Sequence, residues 1–326
     1  MSLLTDFASL ATPEALGGVA KSLGVDTATL TKGLGVAAPT LLSGLAKASQ
    51  TPEGLNKIMS MLPASATDDV AGLTKTALST PEGLDQVSSL MNTAFGGGSA
   101  TFSKALDKAT GFPVSGLLPL AAPAIMSLIK KAQGGQNLDA NGVANMLQTE
   151  SAAYMAQGGA TAKAIDEGWA GVDRLNTIRG RFDPAEQAAI GAAPMAVAGL
   201  VIGADVSAPG GLMKELTAAM QTIDAAEDKA GGIAFSDFLS NVSAEDMQKY
   251  MDANSADTML AAVSKASAAV GAKAPEQAAA YRNFLATLAN NVASAAKEGG
   301  FLGIGAKEVT TAEAEAVARI RGALGL

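Results

Sequence analysis

The chain contains no cysteine and no histidine among its 326 residues. Those two absences exclude thiol nucleophiles, disulfides, zinc sites built on thiolate or imidazole, serine–histidine triads and histidine-ligated haem. Carboxylates, hydroxyls, amides, lysine and arginine are left as the chemistry-bearing side chains. Aromatics are scarce at 4%, with one Trp, three Tyr and nine Phe. The core therefore has to be built from Ala, Leu, Val, Ile and the 13 Met, whose small volumes let helix axes approach closely. No segment alternates branched or aromatic residues with polar ones, so no strand is expected.

What is present is apolar, small and punctuated. Hydrophobic residues make up 48% of the chain and glycine contributes 36 positions, a mixture that reads as many short helices ended by glycine stops. The expected class is all-α and multihelical. Twenty-three basic against 31 acidic residues give a net charge of −8, which argues against a nucleic-acid partner held by a large basic face. The densest basic patch, Arg174, Arg179 and Arg181 in DRLNTIRGRFD, is interrupted by Asp173 and Asp183 and reads as a solvated linker.

The opening MSLLTDFASLATPEAL has no Lys or Arg before its apolar residues and carries Asp6, unlike a signal peptide. Two stretches approach membrane-spanning character. Ala188–Ala204 is apolar for 17 residues but contains Pro194, and the shorter Val114–Ile129 contains Pro119 and Pro123. Both read as buried core helices rather than spans.

The pentad TPEGL occurs at Thr51–Leu55 and Thr80–Leu84, with TPEAL at Thr12–Leu16. Threonine at the N-cap, proline in the first turn and glutamate facing the positive helix end make this a helix start. Leu55, Ile58, Met59 and Leu62 follow at helical spacing, as do Leu84, Val87, Leu90 and Met91. A second repeat places Ala-Ala-Pro, at Pro39, Pro123 and Pro194, ahead of a nearly all-apolar stretch each time. Each stretch should be a short, buried central helix that begins after its proline. Lys47 and Lys131, eight residues after the first two prolines, mark where those helices leave the core.

Toward the C-terminus, Leu212, Leu216, Met220 and Ile223 form one stripe, and Tyr281, Phe284, Leu285, Leu288 and Val292 form the clearest one. Ser243–Asp246 and Thr310–Glu313 look like capping starts, the second with the full Thr-x-x-Glu pattern. The expected organisation is two compact helical domains of short Ala/Gly-rich helices, residues 1–150 and 186–326, joined by a helical linker at 151–185.

Leu23-Gly24-Val25, GVAAPTLLSGLAKASQTPEGLNKIMSML and LLPLAAPAIMSLIKKAQGGQNLDANGVANMLQ resemble the bacterial domain-of-unknown-function family 937, which includes the YidB-like proteins. The resemblance spans roughly residues 10–150 and implies a compact multihelical domain, without an activity to carry over. Residues 186–326 are similar to a second uncharacterised bacterial helical family, through APMAVAGLVIGADVSAPGGLMKE and KAPEQAAAYRNFLATLANNVASAAKEGGFLGIGAKEV. Ala306 stands where that family usually has glycine.

Candidate sites are few. Gly300, Gly303 and Gly305 followed by Lys307 form a possible anion-binding loop, its backbone amides turned inward and the lysine adding charge. It lacks the strand of a dinucleotide fingerprint and the Gly-Lys-Ser/Thr of a Walker loop, so a helix end at Gly299-Gly300 followed by a tight turn is the preferred reading. Asp224, Glu227 and Asp228 share one helix face, but a helical di-metal site normally adds Glu-x-x-His pairs, and an exposed acidic face accounts for them. The stretches at Leu138–Gly142 and Asp252–Asp257 borrow calcium-loop spacing without the closing glutamate. In the first, Asp139 as N-cap and Asn141-Gly142 as a turn suffice. Tyr281 and Phe284 read as core anchors. Trp169, between Gly168 and Gly171, reads either as a contact between the two domains or as an interface anchor toward a partner.

Together these readings give a non-enzymatic helical interaction or self-assembly protein of the bacterial cytoplasm. It is expected to be homo-oligomeric, to have protein partners, and to bind no nucleic acid, cofactor or metal, with the membrane disfavoured. The alternatives are a ligand- or metal-binding module or enzyme using carboxylates or the glycine loop and, more weakly, a peripheral membrane protein.

Overall fold

A computed structural model describes residues 2–111, 113–204, 235, 237, 238, 256–295 and 310–326. Among these residues 84% are helical, with fourteen α-helices and no strand. The chain divides into two units, Met1–Val172 and Asp173–Leu326. The first holds α1 (Leu3–Leu10), α2 (Pro13–Leu23), α3 (Thr27–Ala48), α4 (Pro52–Met61), α5 (Val70–Ser79), α6 (Pro81–Phe95), α7 (Ser99–Thr110), α8 (Leu118–Gln136) and α9 (Ala140–Ala156). The division falls within α10 (Ala160–Arg179). The second unit adds α11 (Pro184–Ile202), α12 (Ala256–Lys273), α13 (Pro275–Ala295) and α14 (Thr311–Leu324).

The threonine-proline starts act as capping sequences. Thr12 Oγ1 accepts from the Ala15 amide at 3.3 Å, Thr51 from Gly54 at 3.1 Å and Thr80 from Gly83 at 3.1 Å. Each cap satisfies a helix-end amide and contributes about 1 kcal/mol. Gly54 has a further reason to be glycine, because α4 begins soon after α3 ends. A Cβ there would stand 2.2 Å from the Ala48 carbonyl oxygen, so the chain can double back only without a side chain. Reciprocal capping boxes start α11, between Asp183 and Glu186, and α14, between Thr310 and Glu313.

The Ala-Ala-Pro segments are buried and central, but their prolines do not begin helices. Pro39, Pro123 and Pro194 lie inside α3, α8 and α11, and each helix continues on both sides. Proline reads as a boundary because it lacks an amide and crowds the carbonyl four residues back. Burial and side-chain donors override that preference here. Pro194 leaves the Ile190 carbonyl without its helical donor, and the Tyr281 hydroxyl of α13 donates to it at 2.9 Å. Tyr281 is fully buried, so this bond is made away from water.

In the first unit α3 is the hub, packing on α2, α6, α8 and α9. In the second, α11 packs on α12, α13 and α14. Tyr281, Phe284, Leu285, Leu288 and Val292 are all buried in that core, with Phe235 stacked 5.9 Å from Phe284. By length and composition α11 could cross a membrane, yet 67% of that stretch is buried inside the protein. Leu84, expected on the buried stripe of α6, is instead half exposed, while Val87 and Leu90 are buried. The stripe at Leu212–Ile223 and the Ser243 start lie outside the described residues.

Candidate functional site

The α8–α9 pair and α1 enclose an open groove of about 830 Å³ in the first unit. Its walls follow from helical periodicity. Leu128, Lys131, Ala132, Gly135 and Gln136 line it from α8, at i, i+3, i+4, i+7 and i+8. Gly142, Asn145, Met146, Thr149 and Glu150 repeat that spacing on α9. Each stripe spans two turns, about 12 Å of helix. Leu3, Asp6 and Leu10 face it from α1.

Local chemistry sets the groove's shape. Asn137 ends α8 in the left-handed conformation at φ 52°, and Asp139 starts α9 by accepting from the Gly142 amide at 2.7 Å. This turn leaves both stripes lining one groove. Ser2 Oγ donates to Glu150 Oε2 at 2.5 Å, tying the start of α1 to α9. The floor is apolar: Leu3 and Leu128 are buried, and Leu10, Leu138 and Met146 pack on the core from half-buried positions.

The charges sit above that floor. Lys131 Nζ donates to Asp68 Oδ1 at 2.7 Å. This hydrogen bond holds the ammonium's pKa above its ordinary value, and Asp6 adds to the effect. Asp68 is delivered by a loop that the buried Ser127 hydroxyl pins through both the amide and the carbonyl of Thr67, each at 2.8 Å. With Lys131 engaged by Asp68, the groove keeps the carboxylates of Asp6 and Glu150 in excess.

Trp169 lies elsewhere in the first unit. Its indole Nε1 donates to Ser43 Oγ at 3.0 Å, and its ring sits 4.9 Å from Phe102 and 5.9 Å from Phe95. Lys47 Nζ stands 4.2 Å above the ring. The indole is half-buried. Gly168 makes this packing possible, since a Cβ there would lie 2.8 Å from the Phe102 ring.

Other sequence candidates are scattered. Arg174 and Arg181 are exposed, as a solvated patch requires, but Arg179 is buried and its Nη2 donates to Asp237 O at 2.7 Å. Burial draws the guanidinium's pKa below its ordinary value, with Asp237 opposing. Arg179 thus supports the second core rather than a solvated linker, its guanidinium 5.4 Å from the Phe238 ring centre. Gly300, Gly303, Gly305 and Lys307, like Asp224, Glu227 and Asp228, lie outside the described residues. Among the described residues no three acidic side chains converge as a metal site would require.

Sequence reasoning assigned Leu138–Gly142 its turn and missed that the turn closes one end of a groove. The α9 stripe alternates glycine, amide, thioether, hydroxyl and carboxylate, so it carries no hydrophobic periodicity to detect.

Fold and groove define the class as an all-α protein with a shallow, partly acidic helical cleft in its first unit. Residues 6–132 match the family model described as Bacterial protein of unknown function (DUF937). The match takes in α1 from Asp6 onward and most of α8, and ends before α9. No curated protein and no solved structure matches the chain.

Proposed function

We propose that the chain is a non-enzymatic helical interaction protein that docks a protein partner and assembles with copies of itself. The groove between α1, α8 and α9 carries the partner half of this reading: a cleft with an apolar floor and polar rim, walled by three helix faces, suits docking of another chain. The polar groups elsewhere support it through what they already do. Tyr281, Ser127, Asp139, Asp183 and Glu313 are each engaged in capping or bracing the fold.

The test is molar mass by light scattering on a sizing column, with electron micrographs of any large fraction. Discrete oligomers or filaments are the expected result. A monomer at every concentration would remove the self-assembly half of the proposal.

A further inference from the structure

We infer that the α1–α8–α9 groove takes a basic amphipathic helix of a partner protein, its apolar residues on the groove floor and its cationic side chains against Asp6 and Glu150. The inference rests on the interaction half of the function proposed above and names the partner's chemistry.

Three observations carry it. The α8 and α9 stripes run for two turns each, so the cleft matches a short helical segment better than a compact small molecule. Leu10, Leu138 and Met146 are only half-buried, and Met146 can adapt to a variable apolar face. The charge is one-sided: among the described residues that line the groove are the carboxylates of Asp6 and Glu150 and one cation, Lys131, which is bonded to Asp68. The partner helix therefore supplies the missing positive charge, steering its approach and fixing its orientation. A second copy is the poorer occupant, because the chain carries a net charge of −8 and would bring further negative charge to an acidic cleft.

Gly135 provides a clean way to close the groove. A Cβ added there meets nothing within 4 Å, so Gly135→Trp fills the cleft without displacing the core. The probe is a fluorescent synthetic peptide of about twelve residues, with leucines spaced three and four apart and lysines on the flanks. A twin carries glutamate in place of lysine. Anisotropy titration with the full chain is expected to show saturable one-to-one binding of the lysine peptide and none of its twin. Gly135→Trp should abolish that binding, and Asp6→Asn with Glu150→Gln should weaken it roughly tenfold or more. Glu82→Gln with Asp85→Asn, on the remote α6, should leave it unchanged.

Circular dichroism confirms that each variant folds. Equal binding of both peptides, binding retained by Gly135→Trp, or no saturation would each overturn the inference. Light scattering on the same samples separates the two proposals: oligomers that ignore the peptide sink this inference alone, whereas a monomer that ignores it removes the proposed function as well.

Discussion

Both units carry prolines in the middle of buried helices, and they surround them with different donors. In the first unit, threonine hydroxyls reach the carbonyl three residues before each proline. Thr40 donates to Val36 O at 2.8 Å within α3, and Thr74 of α5 donates to Leu120 O of α8 at 3.2 Å. In the second, Tyr281 reaches the carbonyl four residues before Pro194, the one whose helical donor proline has removed. The first arrangement adds a bond to a carbonyl that still has an amide four residues on; the second replaces a bond. A replacement joins α11 to α13 at a point where loss would leave a buried carbonyl bare, so the second unit depends more on one side chain.

The comparison can be broken at several points. The largest effect is expected from Trp169→Ala in the first unit, which removes the indole from Phe95, Phe102 and Ser43 and should cost about 3 kcal/mol in urea denaturation followed by circular dichroism. Tyr281→Phe comes next, at about 1–3 kcal/mol, because it leaves the Ile190 carbonyl buried and unpaired. Pro194→Ala restores an amide at that point, so Tyr281→Phe should cost distinctly less in the alanine background. Equal costs in both backgrounds would show that the hydroxyl does not replace the missing donor. Thr74→Val should cost less still, about 0.5–1.5 kcal/mol, and a loss as large as that of Tyr281→Phe would erase the difference between the units.

The smallest effect is in pH dependence. Hydrogen bonds from Thr29 hold the carboxyl of Asp26, the N-cap of α3, below its ordinary value, and Lys57 does the same for Glu53 of α4. Folded-state values below unfolded ones mean that their contributions are complete above those ordinary values and fade as pH falls through the lowered ones. Lys131 runs the other way: its value is raised above 10.5, so its contribution is complete below that and is lost as pH rises further. All three groups are exposed, so a thermal scan between pH 5 and pH 2 should show only a shallow decline, from the two carboxylates alone and largely suppressed by salt. Asp26→Asn and Glu53→Gln together should flatten it.

Much of the fold was legible because it is local. Thr12, Thr51, Thr80, Asp139 and Thr310 cap the helices that their neighbours announce, and Tyr281, Phe284 and Leu288 keep the spacing of a buried face. The reading failed where a local preference met a distant partner. Pro39, Pro123 and Pro194 look like helix boundaries in isolation, and the tyrosine that accommodates Pro194 is 91 positions from the Ile190 carbonyl to which it donates. Trp169 could not be assigned because Ser43, its hydrogen-bond acceptor, is 126 positions off. The groove needs α1 and α9 together, joined by the contact between Ser2 and Glu150 across 148 positions. No window along the chain contains both.

The placement of Trp169 also sets an order of events during synthesis. Phe95 and Phe102 are translated well before the indole that packs on them, and the family-matched segment is complete at residue 132. At about 5–20 residues per second, roughly 2–7 seconds separate residue 132 from Trp169 at the ribosome. During that interval two phenyl rings and the Ser43 hydroxyl have no indole to cover them. A nascent chain halted just short of residue 169 should therefore be more open to protease on α6 and α7 than one halted after α10 has emerged.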